Sequence, residues 1–272
     1  MKLLWLTDIH LNFLKDVARL NVYQEITEKQ SDALLITGDI AEAHSVGKIL
    51  QEMCRHIKKP IYFVLGNHDY YRGRIDSVKK EMQWLTTNEP LLYWLPFAGV
   101  QDLDNNIMLV GQDGWADGRL GDYYNSEVSL NDSHLIADLL QQKTLGKKQL
   151  LEKMQQLADD DALGLQNQLH HAIAKHPKKV MILTHVPPFK EASTYNGKIS
   201  DDSYLPFFAS KATGDVLLQF AAENSTVEFL VLCGHTHGKA NYQPLHNLIV
   251  KTGKAEYYRP VVQEVFNTSI NR

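Results

Sequence analysis

Seven residues of metal-ligand type stand just past short apolar runs in this chain. Asp8 and His10 follow residues 2–7, Asp39 follows 33–37, and Asn67 follows 61–64 with His68 and Asp69 directly after it. His185 follows 180–183, and His235 and His237 follow 229–232. Carboxylate, amide and imidazole with no thiolate form a hard-to-borderline donor set that suits Mn, Fe, Zn, Co or Ni rather than Cu(I). Seven such donors are too many for one ion and about right for two. Two ions held about 3.5–4 Å apart can clamp an in-line phosphoryl displacement, with a metal-bound hydroxide as the nucleophile. Each motif alone has a plainer reading: Asp-x-His as a cap beside a core histidine, Gly-Asp as a turn. Their joint recurrence at strand ends is what favours a metal site. On a strand, residues i and i+2 point the same way, so Asp8/His10 and His235/His237 are each expected to aim two side chains at one point. The remaining histidines (His44, His56, His134, His170, His171, His176 and His246) have no such placement and read as structural or surface residues.

The elements that must position these groups alternate. Strand at 2–7, helix at 16–29, strand at 33–37, helix at about 43–57 and strand at 61–64 give the βαβ pattern of a parallel sheet with helices on its faces. In open α/β sheets ligands bind at the carboxyl ends of the strands. Residues 75–86 read as helix, and strand-like pieces near 91–95 and 106–111 lead to the glycine-rich loop Gly111–Arg119. The stretch 132–175 reads as helical, with apolar faces at Leu135, Ile136, Leu139 and Leu140 and again at Leu150, Leu151, Met154 and Leu157. Asp159, Asp160 and Asp161 are expected to open a helix, because they lack the alternating oxygen spacing and the glycine of a calcium loop. The tail, about 241–266, reads as short strands with turns at Pro244 and Gly253. With no repeat, low-complexity tract or linker, the expectation is one domain over residues 1–272 with a helical insertion at about 132–158.

Bulk composition narrows the function classes. The 272 residues are 44% hydrophobic and 22% charged with a net charge of −4, so no general electrostatic attraction draws the chain to nucleic acid or an anionic membrane. No stretch approaches the roughly 20 apolar residues of a membrane span. The first apolar run is too short for a signal peptide and stops at Asp8, so a cytoplasmic location is expected. Cys54 and Cys233, the two cysteines, sit in apolar surroundings and read as buried free thiols.

In order, Asp8-x-His10, Gly38-Asp39, Gly66-Asn67-His68-Asp69, His185 and Gly234-His235-Thr236-His237 resemble the calcineurin-like metallophosphoesterase family over residues 8–237. The resemblance implies an α/β fold, a two-layered β-sandwich flanked by helices, around two metal ions (Mn, Fe or Zn). It implies that Asp8, His10 and His237 hold one ion, that Asn67, His185 and His235 hold the other, and that Asp39 bridges them. His68 would protonate the leaving-group oxygen, oriented by a hydrogen bond to Asp69, in the hydrolysis of a phosphomonoester or phosphodiester. Leu65 before Gly66, Asp69 in place of Glu, and Ile40-Ala41-Glu42-Ala43 after Asp39 depart from the Ser/Thr protein phosphatases. The motifs are more similar to the bacterial-type branch.

A small phosphorylated substrate is the expected partner. Its contacts are sought in Arg72, Trp115 and Arg119, with Tyr70, Tyr71, Arg74 and Asp117 beside them: an arginine fork suits a phosphate, and an aromatic ring can stack a base or sugar. Tyr195, Tyr204 and Phe207-Phe208 read as core. Two alternatives are a nuclease acting on DNA ends, disfavoured by the acidic balance, and a non-catalytic scaffold of the same fold, disfavoured by the full ligand set and His68.

Overall fold

A computed structural model describes residues 1–104 and 106–268. The apolar runs become strands buried on both faces, which is why they lack an alternating polar signal. In β1 (Lys2–Leu6) and β2 (Ala33–Thr37), Leu3, Trp5, Ala33 and Leu35 point to one side, while Leu4, Leu6, Leu34 and Ile36 point to the other. With β3 (Ile61–Val64) and β4 (Leu92–Trp94) these strands run parallel. The next strand, β5 (Gln101–Asp104), is an antiparallel edge to β6 (Ile107–Gly111) in a second sheet, and β6 pairs parallel with β7 (Lys179–Leu183). A separate hairpin, β8 (Thr194–Tyr195) with β9 (Lys198–Ile199), lies before β10 (Glu228–Cys233). The second sheet is completed by β11 (Ala240–Leu245) and β12 (Leu248–Thr252) in the order β11-β12-β10-β7-β6-β5. Finally β13 (Glu264–Asn267) returns antiparallel to β1, so that the first sheet reads β13-β1-β2-β3-β4. The expected sandwich is therefore present. Its middle layer joins Leu3, Trp5 and Leu35 to Leu109, Leu183 and Leu232.

Helices close both outer faces. Outside the first sheet lie α1 (Asp16–Glu28), α2 (Val46–Ile57) and α3 (Ile75–Asn88). Val46, Ile49, Leu50, Met53 and Ile57 form the buried stripe of α2, at the spacing of one helix face. A short α4 (Leu95–Ala98) follows β4. The region expected as helical is three pieces: α5 (Asp132–Leu135), α6 (Ala137–Leu145) and α7 (Lys147–Ile173). The breaks fall at Ile136, which is extended, and at Gly146, whose φ of 139° favours glycine. The first half of α7 packs with the helices of the first layer, and its second half, with α9 (Lys211–Glu223), covers the second sheet. Before α9 comes the single turn α8 (Leu205–Phe208). Among the described residues no helix is long and apolar enough to cross a membrane.

Two sequence expectations are corrected. Asp159–Asp161 lie inside α7, not at a helix start, because Asp161 faces inward, where its carboxylate accepts the Gly114 N–H at 2.8 Å and stands 3.7 Å from Lys79 Nζ. Pro244 does not mark a turn. It sits in the edge strand β11 at a register shift between Tyr242 and Leu245, where a missing N–H is tolerated, and the chain turns just after it at His246-Asn247.

One buried carboxylate ties the two sheets together near the strand ends. Asp113, just past β6, accepts Leu65 N–H at 2.8 Å, Trp94 Nε1–H at 2.9 Å and Tyr70 O–H at 2.6 Å. Its own carbonyl accepts His185 N–H at 2.7 Å. Asp113→Ala strands three buried donors at once and is expected to destabilise the fold by about 3–4 kcal/mol, read as a lower midpoint in urea or thermal melts.

Candidate metal centre

The seven donors lie in loops that leave the carboxyl ends of β1, β2, β3, β7 and β10. Strand alternation does not aim the paired residues, because β1 ends at Leu6 and β10 at Cys233. Left-handed backbone turns do so instead: φ is 49° at Asp8, 39° at His10, 53° at Asp39, 70° at His235 and 58° at His237. Asp and His enter this region more readily than most side chains, at a cost of roughly 1–2 kcal/mol each. Backbone bonds hold the strained loops, with Asp8 N–H to the Gly38 carbonyl at 3.1 Å and His10 N–H to that of Asp39 at 2.9 Å. His235 N–H donates to the Asp8 carboxylate at 3.0 Å, joining the loops of the two sheets. Gly38 and Gly66 are required here: a Cβ on Gly38 would strike Gly66 N and His185 Nδ1, and one on Gly66 would strike the Asp39 carboxylate.

Two donor clusters share Asp39. In the first, donor atoms of Asp8, His10, Asp39 and His237 all lie within 4.8 Å of one another. His10 Nε2 is 3.5 Å from His237 Nε2 and 3.7 Å from Asp39 Oδ2, and His237 Nε2 is 3.5 Å from Asp8 Oδ1. In the second, Asn67 Oδ1 is 3.0 Å from both His185 Nε2 and His235 Nδ1, and Asp39 Oδ1 is 3.4 Å from His185 Nε2.

Hydrogen bonds on the far sides of these rings decide what faces inward. His185 Nδ1 lies 2.8 Å from the Thr37 carbonyl and His235 Nε2 lies 2.9 Å from that of Phe207. A carbonyl only accepts, so those nitrogens carry the protons and the opposite nitrogens of the neutral rings turn lone pairs inward. Asn67 Nδ2 donates to Asp132 Oδ1 at 2.7 Å, which turns its carbonyl oxygen inward as well. Three lone pairs and a carboxylate thus converge within hydrogen-bond range, and a cation satisfies them together. The donor set fits a metal pair on this ground.

Electrostatics favour the ligand forms of His10, His235 and Asp39, and run the other way at His185. Burial first, then the neighbouring His68 and His237, pull His10 down to about 4 against the attraction of Asp39. Burial and then His185 lower His235. Burial opposes ionisation of Asp39, yet His185, His68 and His10 hold it well below the usual carboxylate range. At His185 burial opposes the charge, and Asp39 and Asp8 carry the net shift upward. Cys54 and Cys233 are buried free thiols, and burial pushes both up to about 12, so neither offers a thiolate.

The surroundings differ from expectation in three places. Asp69 does not touch the His68 ring. Its carboxylate accepts Ile40, Ala41 and Gly66 N–H at 2.8–2.9 Å and so braces the β2 and β3 loops. His68 Nδ1 is buried without a partner, Nε2 lies 3.8 Å from Asp39 Oδ2, and the ring stacks on Tyr71 at 4.2 Å. Next, Arg72, Trp115 and Arg119 are not among the residues lining the cleft over the donors. Acidic partners hold the arginines, Glu42 for Arg72 and both Asp159 and Asp117 for Arg119, while Trp115 is buried against Tyr70. Arg74 is likewise paired, with Asp138. Third, the aromatics read as core line that cleft, which has a volume of about 710 Å³: Tyr195, Tyr204 and Phe208 face it together with Lys198.

Two residues of this site went unread in the sequence. The Tyr257 ring stands 4.7 Å from His10 and 5.0 Å from His237, roofing the first cluster. Burial, then Asp39 and Asp8, push its hydroxyl up to about 12. Asp132 accepts both Asn67 Nδ2 and, at 2.6 Å, the Tyr71 hydroxyl. Neither has a local motif, and only the paired aromatics Tyr257-Tyr258 hint at one of them.

Face-to-face mixed sheets whose strand-end loops converge on hard and borderline donors define a metal-binding α/β protein. The model of the calcineurin-like phosphoesterase family matches residues 1–239, and the chain belongs to that family. Among solved structures the chain is similar to a dimetal phosphatase from Danio rerio, at 15% identity and TM-score 0.57 over 93% of this chain and 87% of that one. It is also similar to a phosphopantetheinyl hydrolase from Mycobacterium tuberculosis, at 12% identity and TM-score 0.59 over 94% and 89%. At these identities the likeness is one of fold. No curated protein matches the chain in sequence.

Proposed function

We propose that this chain is a two-metal phosphoesterase that hydrolyses a small phosphomonoester or phosphodiester. The observation that carries the reading is the Asp39 carboxylate, whose Oδ2 faces His10 and whose Oδ1 faces His185, so that it serves both donor clusters. Asp8, His10 and His237 would complete one site, and Asn67, His185 and His235 the other. Bound there, Mn, Fe or Zn ions supply the Lewis acidity that activates water and offsets charge on the phosphoryl oxygens. His68 Nε2 faces the same cleft and would hand a proton to the departing alcohol. The hydrogen-bonded Asp132 and Tyr71 keep the Asn67 carbonyl oxygen turned to its ion. We further propose a single cytoplasmic domain in which residues 132–158 are an added helical segment that reaches the site through Asp132.

Hydrolysis of p-nitrophenyl phosphate against bis-p-nitrophenyl phosphate, with Mn²⁺ added, tests the reading and separates monoester from diester preference. Metal-loaded protein with no activity on either overturns it. Chelation is expected to abolish turnover, and returning Mn²⁺ to about 100 times its Kd to raise the unfolding free energy by about 2.7 kcal/mol for each site filled, seen as an upward shift in Tm.

A further inference from the structure

Beside the cleft is a second cavity, of about 310 Å³, whose walls are mostly apolar. Trp115, Leu139, Leu150, Met154 and Phe207 form them. Asn67, Leu130, Asp132 and His235 line both this cavity and the cleft, so the two spaces meet at the second donor cluster. Close-packed interiors leave few voids larger than a water molecule, and pockets of this size with apolar walls and a few polar groups are the usual form of a small-molecule site. Trp115 is 6% exposed, and its Nε1–H is buried without any acceptor. Lys143 and Lys147 also line the cavity, but their ammonium groups go to Ser133 Oγ at 3.1 Å and to the Tyr124 and Ser126 carbonyls at 2.7 and 2.8 Å. Their aliphatic stems are left to serve as wall.

We infer that this cavity takes the apolar body of the substrate's alcohol, so that the substrate is the phosphate ester of an alcohol with an alkyl or aryl portion several carbons long. The inference rests on the phosphoesterase reading above. It concerns the alcohol side because of where His68 stands. The His68 ring stacks on Tyr71, and the Tyr71 hydroxyl bonds Asp132 at the cavity wall, so a single residue separates the proton donor from the cavity. An oxygen that receives the His68 proton can therefore carry its carbon chain past Leu130 into the apolar space, while the phosphoryl group stays over Asp39.

The test is calorimetric binding of n-alkylphosphonates, methyl to octyl, to the Mn²⁺-loaded protein. These compounds cannot be hydrolysed, so binding is read apart from turnover. Affinity should rise about fourfold per added methylene, at roughly 0.8 kcal/mol each, until the cavity is full. Leu150→Trp, and separately Leu139→Phe, should flatten the series while leaving methylphosphonate binding unchanged, with thermal melts showing that each variant is folded. A flat series in the parent protein, with methylphosphonate bound, overturns the cavity assignment alone. Failure of methylphosphonate to bind the metal-loaded protein overturns the phosphoesterase reading, and this assignment with it.

Discussion

On the two-metal reading, Asp39→Asn is expected to hold one metal ion tightly where the parent protein would hold two, and to lose about 10³-fold or more in turnover. The shared carboxylate is the reason. Asp39 is buried, and its two oxygens face His10 and His185 across the centre of the site. An asparagine keeps the shape, and its carbonyl can still accept the His68 N–H that Asp39 Oδ1 accepts at 2.9 Å. It cannot present an anionic oxygen to each side, so one ion loses a charged ligand and the pair loses the charge that offsets its mutual repulsion. Lewis-acid stabilisation by such ions is worth several kcal/mol, and about 4 kcal/mol corresponds to roughly three decades in rate. Metal analysis of the purified variant, together with steady-state kinetics, checks both halves. Two ions bound with parental affinity would show that Asp39 is not their common ligand.

His68→Asn should leave both ions in place and still slow turnover by about 10²–10⁴-fold. His68 follows Asn67 but turns its ring away from the second cluster, between His10 at 4.6 Å and Tyr71 at 4.2 Å. Its backbone N–H makes the hydrogen bond to Asp39, and that bond survives the substitution. A proton donor matters most where the leaving alkoxide is basic and least for p-nitrophenolate. The loss should therefore be largest on alkyl esters and at least about tenfold smaller on the p-nitrophenyl ester. An equal loss on both substrates, or a loss accompanied by reduced metal content, would assign His68 a role other than acid.

The donors were legible because residue type and local position carry the signal. A carboxylate or imidazole placed just past an apolar run will sit at a strand's carboxyl end, and the runs themselves were legible because both sheets bury both of their faces. The reason the pairs converge was not legible. Alternation along a strand predicts it, yet the convergence comes from left-handed turns at Asp8, His10, His235 and His237 held by bonds to neighbouring loops. Nor does local sequence show where a charge is satisfied. Arg72 and Arg119 look available beside the motifs, and their engagement by Glu42, Asp117 and Asp159 depends on how distant loops and α7 meet. The same holds for Asp161, an inward-facing residue in mid-helix.

What the sequence by itself determined is the chemistry: which donor types are present, in which order, and that parallel strands deliver them to one end of the molecule. Only the tertiary structure decided the surroundings that select a substrate. Tyr257 roofs the first cluster, Asp132 holds the amide of Asn67 from 65 residues away, and an apolar cavity adjoins the cleft. The physical reason is range. Strand burial and ligand type are set by neighbours along the chain, whereas a cleft wall is built from loops with no periodicity whose positions follow from the packing of every layer beneath them.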